Sequence, residues 1–168
     1  MELKDILSNV VDQLKFAETK LAALLTYNGV LLFGISRVAT STNHLSELNY
    51  LIAFAILTIL FSFILLVLGF FPKTDNNSYL CGKPKNPNIV FFGHIKHLDT
   101  ETFLRLYYEK NGTESSSQKA IDKEIANQII VNSGIASKKF GLFKIAVVSS
   151  AVSTAVSLWY LVNIIISQ

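Results

Sequence analysis

Residues 51–71 read LIAFAILTILFSFILLVLGFF, twenty-one positions without a single charge. As a helix rising 1.5 Å per residue, the stretch spans about 31 Å, close to the roughly 30 Å hydrocarbon thickness of a bilayer. A helix this long that is apolar on every side fits a membrane span better than a soluble core. The stretch is preceded by Tyr50, placed as an interfacial aromatic, and followed by Pro72 and Lys73, a helix stop and an anchoring cation. The rest of the chain is read outward from this crossing.

Composition agrees with a membrane protein. Hydrophobic residues make up 51% of the 168 positions and charged residues 16%, against a usual charged share of about 25%. Mean hydropathy is +0.42. The single cysteine, Cys81, excludes an internal disulfide framework. The N-terminus carries Glu2, Lys4, Asp5 and Asp12 rather than a basic n-region and apolar h-region, so it is expected to be retained and cytosolic.

The basic residues are unevenly spread. Lys4, Lys15 and Lys20 lie in residues 1–20, eleven more lie in residues 72–144, and only Arg37 falls elsewhere. The positive-inside rule places both basic segments in the cytoplasm, which requires two crossings between them. The first of these is 21–37, a less apolar stretch bracketed by Lys20 and Arg37 and containing Thr26, Tyr27, Asn28, Gly29 and Gly34. Asn28 is expected to bond between helices. An outer loop follows at 38–50, and then the second crossing at 51–71.

Upstream, Leu3, Ile6, Leu7, Val10, Leu14 and Ala17 recur at three- and four-residue spacing, opposite Asp5, Asp12, Lys15 and Glu18. Residues 1–20 are therefore expected to form an amphipathic helix that continues into the first crossing, or else lies on the membrane surface. Residues 72–142 form the main cytosolic region. Within it, Ile89-Val90-Phe91-Phe92 reads as a short strand or a segment docked on the bilayer. Asp99 to Lys110 reads as a helix with Asp99 as N-cap, broken at Asn111-Gly112. Residues 117–139 read as a further helix striped by Ile121, Ile125 and Ile129. The third crossing is 143–166, with Ser149, Ser150, Ser153, Thr154 and Ser157 spaced as a small, hydroxyl-bearing packing face. The predicted fold class is an all-α membrane protein: three transmembrane helices with a small helical cytosolic head, N-terminus inside and C-terminus outside.

Little reactive chemistry is on offer. The sequence has no GxSxG, HExxH, CxxC or phosphate-binding glycine loop, so an enzyme is not expected. His94 and His97 lie three apart, but no companion ligands complete a metal site. Lys83, Lys85, Lys96 and Arg105 are candidates for an anionic ligand, against the plainer role of solvated topogenic charges. Asn111-Gly112-Thr113 matches a glycosylation acceptor that a cytosolic location would leave unused.

Four stretches, FAETKLAALLTYNGVLLFG, FFPK, NIVFFGHI and DKEIANQIIVNSGIASKKFGLFKIA, stand in an order and spacing around the crossings that resembles the transmembrane effectors of Pycsar antiphage systems. The resemblance implies an inner-membrane protein that senses cyclic CMP or cyclic UMP made on infection, impairs the membrane and causes abortive infection. Carried over onto this chain, the matching polar positions are Lys20, Asn28, Gln128, Asn132, Ser133 and Lys139. Their side chains suit hydrogen bonds to a pyrimidine edge or a cyclic phosphate. The expected partners are a cyclic pyrimidine nucleotide, the lipid bilayer and further copies in a homo-oligomer, with no nucleic acid and no cofactor. The other classes to weigh are a passive membrane scaffold and a lipid-acting membrane enzyme.

Overall fold

A computed structural model describes residues 2–41, 49–71, 86–112 and 120–166. Cys81, Lys83, Lys85, Thr113 and most of the expected outer loop lie outside the described residues. Five helices follow in order: α1 (Leu3–Ser41), α2 (Asn49–Phe70), α3 (Phe92–Ile95), α4 (Thr100–Asn111) and α5 (Ala120–Ile166). There is no strand among the described residues, and α1, α2 and α5 are each long and apolar enough to cross a membrane. The all-α, three-span reading therefore holds.

The chain divides into two compact units, Met1–Glu18 with Pro72–Phe140, and Thr19–Phe71 with Gly141–Gln168. In the first unit, one apolar core gathers four stretches of sequence. Leu3, Ile6 and Val10 come from α1, while Ile89, Ile95 and Leu98 come from the segment around α3. Phe103, Leu104 and Tyr108 come from α4, and Ala126 and Ile129 from α5. The amphipathic face of residues 3–20 is thus covered by protein, as its spacing requires, rather than laid on a membrane surface.

The strand reading of Ile89 to Phe92 is corrected. Ile89 and Val90 form a turn, and α3 starts at Phe92. Phe92 and Ile95, one turn apart in α3, and Ile89 from the turn before it all pack against the same core. The α4 expectation holds. The Asp99 carboxylate accepts from the Thr102 N–H at 3.1 Å, satisfying one of the orphan donors of the first turn. Gly112 closes the helix at φ 66°, a left-handed conformation that favours glycine.

The helix read at 117–139 runs directly on into the third crossing. The helix and the third crossing are one 47-residue helix with no break at Gly134 or Gly141, since an isolated glycine costs a helix only about 1 kcal/mol. α1 is likewise a single 39-residue helix that continues past Arg37 to Ser41.

In the second unit, Leu21, Leu66 and Ala146 form the apolar centre of a three-helix bundle. A methyl group added at Gly69 would come within 3.0 Å of the Leu21 side chain, so α1 and α2 approach closely there. Val30, Phe33, Leu57, Ile64 and Leu158 face outward and exposed, the arrangement a hydrocarbon solvent demands.

Candidate functional site

Polar side chains are concentrated in two places, one in each unit. In the second unit they line the seam between α1, α2 and α5. Asn28 Nδ2 donates to Ser62 Oγ at 2.8 Å, and Ser150 Oγ donates to Asn28 Oδ1 at 2.7 Å. The Ser62 and Ser150 hydroxyls lie 2.9 Å apart, which closes a three-membered ring when Ser62 is the donor. All three side chains are buried. Beyond the ring, Ser149 donates to the Thr58 carbonyl at 2.7 Å and Ser153 to the Ala55 carbonyl at 2.8 Å, pinning α5 to α2. Thr154 donates to the Ser150 carbonyl, so the 2.7 Å contact with Tyr27 has the phenol as donor. The serine face is therefore a packing face in this state, as its spacing suggests.

Asn28→Leu removes the ring member that bridges α1 to both partners. Ser62 and Ser150 keep each other and the Ala146 carbonyl, so the expected loss is modest, about 0.5–2 kcal/mol by the usual worth of interhelical bonds in membranes. Reversible unfolding in mixed micelles measures it, and an unchanged midpoint would show the ring to be incidental.

In the first unit, the Lys139 side chain is buried, with its ammonium 2.6 Å from Glu18 Oε1 on α1. Nearby on α5, Ser137 Oγ accepts from Lys96 Nζ at 2.8 Å. One turn earlier, Ser133 is fully buried and its hydroxyl has no hydrogen-bond partner. Phe92 stacks on Phe140 with centroids 5.4 Å apart, Phe16 tilts against Phe140 at 6.4 Å, and Phe91 against Phe92 at 5.0 Å.

At the other end of this unit, Tyr108 donates to Asp122 Oδ2 at 2.6 Å, tying α4 to the start of α5. Burial, then the bond to Asp122 and its negative charge, push the Tyr108 hydroxyl up to about 12 from its ordinary 10.0. Burial and the charges of Asp122 and Glu2 also raise Tyr107. The neutral phenol is the form that folding favours. Its stabilising contribution is therefore full below pH 10 and is lost as pH rises toward 12. A spectrophotometric tyrosine titration should show delayed ionisation, and Tyr108→Phe should remove the latest step while leaving that of Tyr107.

The six positions carried over by resemblance are divided between the units. Lys20 lies in the second unit, with its ammonium 5.6 Å from the Phe143 ring centre, and Asn28 sits in the buried ring eight residues on. Gln128, Asn132, Ser133 and Lys139 lie on α5 in the first unit. Gln128 is exposed, Asn132 half-buried, and Ser133 and Lys139 buried. Lys139 is engaged by Glu18, and the Asn28 amide by two serines. Lys96, singled out in the sequence only as one of several cations, proves to be bonded to α5. Its contact with Ser137 joins residues 41 apart, and no local pattern signals it.

His94 Nδ1 accepts from the Asn88 N–H at 3.1 Å, which uses one of its two possible ligand atoms. No group of three metal-ligating side chains occurs among the described residues. No curated protein and no solved structure matches the chain. The model of one family does match it, over residues 2–166: PycTM, the Pycsar effector protein domain. With nearly its whole length matched, and with three helices fit to span a membrane, this membrane protein belongs to the PycTM family of Pycsar antiphage effectors.

Proposed function

We propose that the protein is gated by a cyclic pyrimidine nucleotide, cyclic CMP or cyclic UMP, and that the gated state impairs the inner membrane and ends infection by killing the cell. In this reading the first unit faces the cytosol, the C-terminus faces the periplasm, and several copies act together. The distribution of basic residues supports the orientation. The observation that carries the reading is the continuity of α5, one helix that holds Ile129 in the first core and Ser150 in the polar ring of the second.

A ligand acts on such a device only through its differential affinity for two states. A nearly complete shift needs about 5.5 kcal/mol of that difference. Interhelical bonds in membranes are worth on average about 0.6 kcal/mol each and at most about 1.7. Releasing α5 from its contacts at Thr58, Ala55, Asn28 and Ser62 is thus within reach of one nucleotide.

The test is dye release from liposomes holding the purified protein, with cyclic CMP, cyclic UMP, cyclic AMP and cyclic GMP added in turn. A pyrimidine messenger should raise release several-fold over the purine messengers. Equal release under all four conditions, from protein shown to be folded, would overturn the reading.

A further inference from the structure

Ser133 is the one buried side-chain oxygen among the described residues left without a hydrogen-bond partner. Buried hydroxyls are nearly always paired, so an orphan of this kind calls for a physical reason. Its surroundings supply one. Ser133, Ser137 and Phe140 follow one another at four- and three-residue spacing on one face of α5. Opposite Ser137 and Phe140 stands the short segment of α3, where Phe92 and Lys96 are one turn apart, joined by the Lys96 N–H to Phe92 carbonyl bond at 3.1 Å. Phe92 stacks on Phe140, and the Lys96 ammonium donates to Ser137. Among the described residues no carboxylate lies within ion-pair distance of Lys96, so two of its three protons remain for another acceptor.

We propose that Lys96, Ser137 and Ser133 form a seat for a phosphodiester monoanion, and that the Phe92–Phe140 stack beside it takes the base of a cyclic nucleotide. The inference rests on the nucleotide-gated reading above and locates its site. One ammonium balances the single charge of a cyclic phosphodiester. The two hydroxyls donate to its free oxygens, and Ser133 gains the partner it lacks when unliganded. Binding is then favoured by a group that is unsatisfied only in the empty state, the differential interaction that gating requires. The half-buried rings extend a stack that any planar base can join.

A phospholipid headgroup carries the same phosphodiester charge, and the experiment separates the two sources. The full-length protein in detergent, wild type, Lys96→Gln and Ser133→Ala, is titrated by calorimetry with cyclic CMP, cyclic UMP and short-chain phosphatidylglycerol. Lys96→Gln should weaken nucleotide binding about ten- to a hundredfold, the worth of a charge-assisted bond. Ser133→Ala should weaken it several-fold while leaving the unliganded melting temperature equal or higher, because it deletes an unsatisfied group. A purely structural Ser133 would change melting and not affinity, and that result overturns the seat. So does nucleotide affinity unchanged in both variants, which leaves the nucleotide-gated reading standing. Weakened binding of phosphatidylglycerol alone would assign the seat to lipid and overturn the proposal. Wild type that binds neither nucleotide defeats the gated reading, and the seat with it.

Discussion

Phe103→Ala is expected to destabilise the first unit by about 3–5 kcal/mol, the usual cost of emptying a phenylalanine site in a closed core. Phe103 is fully buried, and its neighbours in that core come from α1, the α3 segment and α5 as well as α4. The cavity therefore loosens every element of the unit together. A unit of roughly ninety residues carries about 5–13 kcal/mol of stability, so the loss takes a large share. The unit's thermal midpoint should fall by about 15 °C or more, while α2, which contributes nothing to that core, keeps its protection. Hydrogen exchange in detergent resolves the two. A midpoint within about 4 °C of wild type would mean that Phe103 does not sit in a packed core.

The second large effect concerns Lys139 and Glu18. The lysine side chain is 7% exposed and its partner 47%. Glu18→Leu leaves a buried ammonium without its counter-charge, which costs about 3–5 kcal/mol at a fully buried pair. Because Glu18 stands half in water, solvent screens part of the attraction, and the expected loss is about 1–3 kcal/mol. Lys139→Met added to Glu18→Leu should recover most of it, since two apolar side chains need no counter-charge. The informative measurement is the order of melting temperatures, with the single glutamate variant lowest and the double variant near wild type. A double variant melting below Glu18→Leu would show that the ion pair itself, rather than the stranded charge, sets the stability.

The parts of this fold that were legible in the sequence are those governed by local period and hydropathy. Residues 51–71 declare a span by length alone, and Leu3, Ile6, Val10 and Ala17 declare a buried face by spacing. The hydroxyls at 149, 150 and 153 declare close packing because small side chains admit a neighbouring backbone. Ile89 to Phe92 misled because β-branched and aromatic residues favour strands only where a partner strand exists. Here the neighbours are helices, and Ile89, Phe92 and Ile95 pack against the core they share instead. The pairings Lys139 with Glu18, Lys96 with Ser137 and Tyr108 with Asp122 were not legible. The first two join residues 121 and 41 positions apart, and all three depend on tertiary placement that no local pattern encodes. Asn28 bonds between helices as expected, but its partners Ser62 and Ser150, and the ion pair that holds Lys139, lie far away in sequence and were not legible.

On the proposed reading, the seam of the second unit also bears on how a membrane breach would arise. The protons of Ser149, Ser150, Ser153 and Thr154 are each engaged by a carbonyl or amide oxygen of the protein, and that of Ser62 by Ser150 or a carbonyl. With those protons taken, the seam offers a hydrated ion little foothold despite its wealth of oxygen. Conduction would begin when those hydroxyls trade protein acceptors for solvent, turning the same stripe that seals the helices into a wick.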